Sequence, residues 1–196
     1  MLRAIDPYIN INIETDVRMT PDKLNNNLYL NLKKKCEDKL LNKSYKEHGF
    51  VTKVYELEDN YEGYIRPEEL HGVVTYSVNV KCRVCAPYKG AVIVCSIKKI
   101  VNTFIFAQNG PISVVIVREN IDASKFIVDT TTNIVRYKTK SGNSVILAND
   151  MRVMVTILSI IYNVDNIFCY AYLNKVADRQ DGSLYEKNLS ELDQNI

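Results

Sequence analysis

Cationic and aromatic side chains interleave through the second half of the sequence, at Tyr88, Lys89, Lys98, Lys99, Phe104, Phe106, Arg118, Tyr137, Lys138, Lys140 and Arg152. This mixture suits the binding of single-stranded nucleic acid, in which bases stack on exposed rings while Lys and Arg follow the phosphates. Each stacked base contributes on the order of 1–3 kcal/mol. Phe104 and Phe106 stand two apart, so a strand puts both on one face. Either both reach solvent, or both are core residues and Ile105 points outward.

Other chemistries find less support. Catalysis needs a nucleophile beside a base, carboxylates held apart, or a loop that cradles phosphate, and none is legible. The seven glycines form neither GxGxxG nor a phosphate-binding loop ending in Gly-Lys-Ser/Thr. His48 and His71 are single histidines beside glycines and read as surface or structural residues. Cys82 and Cys85 make one CxxC pair, whereas a structural zinc site needs a second pair or closely spaced histidines. We expect no metal, no cofactor and no enzymatic activity.

The five cysteines are odd in number and scattered, which argues for reduced thiols. A formal net charge of +2 is too small for bulk electrostatics to attract nucleic acid, so any binding has to come from a local patch. At 196 residues, with 46% hydrophobic and 24% charged, the chain can bury a core in one large domain or two small ones. No apolar run approaches the roughly 18 residues of a membrane span, and an intracellular, membrane-free protein is expected. Abundant Asn, Lys, Ile and Tyr without Trp reflect an AT-rich genome.

The elements that must position these residues follow from periodicity. Tyr8 to Glu14 alternates Ile with Asn, the pattern of a half-buried strand. Thr20 and Pro21 then read as a helix start, and Leu24, Leu28, Leu32, Cys36 and Leu40 at intervals of four predict an amphipathic helix over about 21–42, with Lys33, Lys34, Lys35, Glu37, Asp38 and Lys39 on its solvated face. Strands are predicted at Gly49–Leu57 and Gly72–Cys85, with a short extended piece at Tyr64–Arg66 between them. Ala86 to Gly90 ends the long strand, since proline cannot donate to a ladder and glycine permits a turn, and the domain boundary is expected there.

Beyond Gly90 the pattern is all strand, roughly 91–101, 103–107, 112–117, 151–162 and 166–173. Five strands fit a small closed barrel of the OB type, with the polar excursion Asp122–Asp150 as an inserted hairpin. The tail carries the capping-box pattern Ser183, Leu184, Tyr185, Glu186 and is expected as a short helix or a disordered end. The expected organisation is α+β: residues 1–86 as a sheet packed on one helix, 87–174 as an all-β OB barrel, and 175–196 as the tail.

Several collinear motifs carry a resemblance over about residues 9–174: HGFVTKV at 48–54, EGYIRP at 62–67, VNVKCRVCAPYKGAVIVCSIKKI at 78–100, NGPISVVIVRENI at 109–121, and the final strand pair MRVMVTILSIIYNVDNIFCYAYL. The chain resembles the RNA polymerase stalk-subunit family, to which the larger stalk protein of archaeal RNA polymerase and the seventh subunit of eukaryotic RNA polymerase II belong. A long strand that runs through a Pro, aromatic, Lys, Gly turn into the first barrel strand is how this family joins its halves.

The resemblance implies an RNP-like tip domain followed by the barrel, in a non-catalytic subunit that docks near the RNA exit channel. Implied partners are the core RNA polymerase subunits, a small helical stalk partner subunit and the single-stranded RNA transcript. Tyr61, Gly63, Tyr64, Ile65, Arg66 and Pro67 become the candidate docking element, and Lys89, Lys98, Lys99, Phe106, Arg118 and Lys138 the candidate RNA contacts. Two positions depart from the family pattern: Phe104 stands where glycine is usual, and Val115 where an aromatic or histidine is common. Localisation follows as nuclear or, for a version encoded by a large DNA virus, host cytoplasm and virion. The alternatives are an adaptor whose barrel binds protein only, or a free-standing OB-type RNA-binding factor.

Overall fold

A computed structural model of the chain describes residues 3–45, 48–58, 61–69, 71–101, 103–129, 134–138 and 144–193. Two compact units divide it, Tyr8–Cys85 and Met1–Pro7 with Ala86–Ile196. The second unit is thus made of two stretches of chain, one on each side of the first. Residues 3–7 run with the barrel unit, where the Ile5 N–H donates to the Val92 carbonyl at 2.8 Å and the Ala86 N–H to the Pro7 carbonyl at 2.9 Å.

The first unit is a five-stranded antiparallel sheet. β1 (Tyr8–Met19), β5 (Val74–Cys85), β3 (Gly49–Leu57) and β2 (Ser44–Tyr45) lie in that order, and β4 (Glu62–Tyr64) pairs with β5 beside β3. α1 (Leu28–Leu40) covers one face, burying Leu32, Cys36 and Leu40. That face of the sheet is built by Ile13, Thr15, Val17, Val78, Val80 and Cys82, all buried; of the apolar face expected over Tyr8–Glu14, Ile13 is buried, Ile11 half-buried and Ile9 exposed.

The helix is shorter than its apolar period. Thr20 and Pro21 open only a 3-10 turn, Pro21–Lys23, and α1 begins at Leu28. Asn25 explains the gap: its side-chain oxygen accepts the Asn27 N–H at 3.0 Å, a local bond that competes with helical pairing. Leu24, the first residue of the expected stripe, is consequently exposed.

The second unit contains a closed barrel of β6 (Val92–Ile100), β7 (Phe104–Asn109), β8 (Ile112–Val117), β13 (Ile167–Val176) and β12 (Arg152–Tyr162), in that order around the ring. Every neighbouring pair is antiparallel except β8 with β13, which is parallel. This five-stranded closure fits the OB fold. Ile93, Ile97, Ile105, Ile112, Ile116, Ile157 and Leu173 fill its interior. Between β8 and β12 the expected hairpin has a third strand: β9 (Phe126–Val128), β10 (Val135–Lys138) and β11 (Ser144–Ile146) form a small sheet ordered β11-β10-β9.

The tail forms α2 (Arg179–Asp193). Its start lies upstream of the predicted capping box, where the Asp178 N–H donates to the Asp181 carboxylate at 3.3 Å, one half of such a box, while the Asp178 carboxylate holds Lys175. Ser183 sits inside the helix and donates to the Gln180 carbonyl. Tyr185 packs α2 into a cluster with Ala4, Val92, Val94 and Met154.

Candidate nucleic-acid interface

The ambiguity over Phe104 and Phe106 is resolved by burial. Ile105 and Ala107 are buried in the barrel at 2% and 0% exposure, so the two phenylalanines occupy the outer face, half-buried. On β8 the inward residues are Ile112, Val114 and Ile116, leaving Ser113, Val115 and Val117 outside. On β13 the inward set is Ile167, Cys169, Ala171 and Leu173, which turns Phe168, Tyr170 and Tyr172 outward.

Strand register then assembles a row. Lys99 on β6 pairs with Phe106 on β7, Phe106 with Val115 on β8, Val115 with Tyr170 on β13, and Tyr170 with Ser159 on β12. Beside it, Phe104 pairs with Val117, and Arg118 follows directly with its N–H donating to the Thr103 carbonyl at 3.4 Å. Phe168 meets Tyr170 edge to face, with ring centroids 5.4 Å apart and planes at 79°. Rings, a small aliphatic residue and a terminal cation thus share one surface, the composition that stacks bases and neutralises phosphate.

Tyr170 and Phe168 are absent from the candidates that sequence alone supplies. Their signal is the alternation Phe168, Cys169, Tyr170, Ala171, Tyr172, the same period of two that marks Phe104 and Phe106. Only the parallel pairing of β8 with β13 brings them beside Val115.

The other candidate RNA contacts stand elsewhere. A register irregularity between Ile97 and Lys99 leaves Lys98 and Lys99 both exposed in succession, and Lys98 turns to Asp150, 3.0 Å away. That hydrogen bond holds the Lys98 ammonium above its ordinary pKa. Arg152 pairs with Glu186 at 2.6 Å and lies over the Tyr185 ring, which commits it to α2. Lys89 is exposed in the turn after Pro87, next to an exposed Tyr88. Lys138 is exposed on β10, and Tyr137 packs on Phe126. Lys140 lies outside the described residues. The register joins none of Lys89, Lys98 and Lys138 to the aromatic row.

In the first unit the candidate docking residues surround β4. Tyr61 meets Tyr76 edge to face at 6.0 Å, and Gly63 lies flat on the same ring, where a Cβ would come within 2.6 Å of Tyr76 Cε1. Only glycine permits that approach. The next residues project: Tyr64 and Ile65 are 45% and 58% exposed, large values for apolar side chains, and Arg66 hydrogen-bonds the Tyr64 side chain. Pro67 is exposed at the following turn.

Cys82 and Cys85 make no chelating pair, since three residues along a strand turn side chains to opposite faces. Burial pushes the Cys82 thiol up to about 11 and that of Cys36 up to about 12. His48 stacks on Tyr45 with centroids 6.1 Å apart, and His71 is exposed in a turn.

No protein-family model matches the chain. A protein of Acanthamoeba polyphaga mimivirus named as a DNA-directed RNA polymerase subunit is 36% identical over 140 residues, covering 69% of this chain and 67% of that protein. This chain belongs to the RNA polymerase stalk-subunit family. The DNA-directed RNA polymerase II subunit rpb7 of Dictyostelium discoideum is similar too, at 23% identity over 143 residues, covering 73% of this chain and 81% of that one. As a stalk-family member the chain is a subunit of a multisubunit transcribing enzyme, and the five-stranded closure described above fits the family's OB barrel. Among the described residues no helix is long and apolar enough to cross a membrane.

Proposed function

We propose that this chain is a non-catalytic stalk subunit that docks on core RNA polymerase near the RNA exit channel and contacts the emerging single-stranded transcript. Its first unit is an RNP-like tip, one helix on one face of an antiparallel sheet, and docks through the projecting Tyr64, Ile65 and Arg66. A small helical subunit is its stalk partner. The similarity to a viral polymerase subunit favours a virally encoded enzyme, placed in host cytoplasm and virion. The observation that carries the transcript role is the unbroken register Lys99, Phe106, Val115, Tyr170 on the outside of the barrel.

The test titrates full-length chain into labelled single-stranded RNA at rising salt. Binding that weakens with salt, as released counterions require, and that falls when Phe106 and Tyr170 are replaced by alanine supports the reading. Failure to bind at low salt removes the transcript role and leaves docking. For docking, large polymerase subunits should accompany the tagged chain when it is purified from its native source.

A second reading, a stalk adaptor whose barrel contacts protein only, draws on the internal use of Lys98 and Arg152 by Asp150 and Glu186. Charge reversal at Lys99 and Arg118 that left RNA binding intact but broke assembly would favour it.

A further inference from the structure

Among the described residues β1 is the outermost strand of its sheet, paired with β5 on one side only. A groove of about 500 Å³ touches Val17, which faces α1, and also Asp16 and Arg18, which face the other way, together with Thr75 of β5, the ladder partner of Arg18, so it spans the β1 edge and the sheet face beside it. Lys35, Asp38 and Lys39 of α1 and Arg66 after β4 complete its charged lining. None of the four cations is in an ion pair among the described residues: Lys39 donates to the Thr15 hydroxyl and the Asp16 carbonyl, both at 2.7 Å, and Arg66 bonds the Tyr64 side chain.

The backbone of the edge strand turns outward at alternate residues, and Asp16 does so within the groove. The carbonyls of Glu14 and Asp16 point away from β5, to the Tyr45 hydroxyl at 3.4 Å and the Lys39 ammonium at 2.7 Å. By the alternation of an antiparallel ladder, Arg18 turns its N–H and carbonyl the same way.

We infer that this groove takes an extended acidic segment of a partner protein, laid along β1 as an added strand with its carboxylates against Arg18, Lys35 and Arg66. The inference rests on the docking role proposed for this unit and names the chemistry of what it grips. Strand addition uses main-chain groups for affinity and side-chain pockets for choice; here the added strand takes up the outward groups of Arg18 and displaces Lys39 from the Asp16 carbonyl. RNA fits less well. No ring is among the residues that line the groove, so it has nothing on which to stack a base.

The experiment measures fluorescence anisotropy of a short labelled peptide alternating Val and Asp, mixed with full-length chain. The same peptide with Lys for Asp, and a single-stranded RNA of similar length, serve as comparators. The acidic peptide should bind and the lysine peptide should not. Arg18→Glu with Lys35→Glu should weaken binding by roughly tenfold or more, Arg18→Lys should preserve it, and Asp38→Asn should tighten it. Thermal melts matching wild type confirm that the variants fold, and Asp38→Asn carries the test if the reversal does not.

No binding of the acidic peptide, or equal binding of both peptides, overturns the inference. RNA binding abolished by the same reversals makes the groove a phosphate site, and self-association abolished by them makes it a contact between copies; either outcome also overturns it. Co-purification of core polymerase reports separately. Its loss with peptide binding intact sinks the docking role alone, and peptide failure with co-purification intact sinks only the groove's assignment.

Discussion

Phe106 and Tyr170 flank Val115 on the outside of the barrel, one through the antiparallel pairing of β7 with β8 and the other through the parallel pairing of β8 with β13. The position where the family often carries a ring holds a valine here, and rings stand on both sides of it. Replacing either aromatic by alanine should weaken single-stranded RNA by about 1–3 kcal/mol, roughly 5- to 150-fold in Kd. Anisotropy titrations of Phe106→Ala and Tyr170→Ala read this directly. An effect under twofold for both would remove the face from RNA binding.

The assignment of faces on β7 makes a stability prediction that needs no RNA. Ile105→Ala empties a buried site and should destabilise the chain by about 2–5 kcal/mol in chemical denaturation. Phe106→Ala, on the half-buried outer face, should cost distinctly less. Reversed magnitudes would mean that the phenylalanines form the core.

How much of this was legible in sequence depends on what a period can carry. Alternation located β7 and paired Phe104 with Phe106, yet a period of two has no sign, so which face pointed inward awaited barrel closure. Tyr170 was missed for a related reason: its neighbour Val115 lies far away in the chain, and only the parallel register joins them. The period of four in α1 was genuine over Leu28–Leu40, but its first turn failed because Asn25 uses the Asn27 N–H locally. Lys98 and Lys99 are adjacent letters that a register irregularity sends to different partners. The groove beside β1 gathers residues from β1, α1, β5 and the segment after β4, which no short motif records.

Gly63→Ala should destabilise the first unit, because the new methyl group would meet the Tyr76 ring at 2.6 Å. Overpacking of this kind costs about 1–3 kcal/mol. The same substitution in a Tyr76→Leu background should cost much less, and a double-mutant cycle by denaturation measures that coupling. Full additivity would disprove the contact.

Thiol titration has a definite sign. In the native chain Cys36 and Cys82 titrate near 12 and 11, against about 9 when exposed. The fold therefore prefers the protonated thiols, and this contribution is complete below about pH 9 and lost as pH rises from there toward 11–12. All five cysteines are buried and none is in a disulfide, so native protein near pH 8 should react slowly with a thiol reagent and unfolded protein rapidly at all five. Fast labelling of Cys36 or Cys82 in native protein would contradict their burial.

The bond from the Ala86 N–H to the Pro7 carbonyl has a consequence for how the chain is divided. The chain enters and leaves the Tyr8–Cys85 unit at one spot, where Tyr8 and Cys85 are themselves ladder partners. The unit is thus an insertion between the first residues of the barrel unit and the rest of it. Every strand pairing of the barrel joins residues that follow Ala86. The half proposed to grip the enzyme therefore supplies no strand to the half proposed to meet its product.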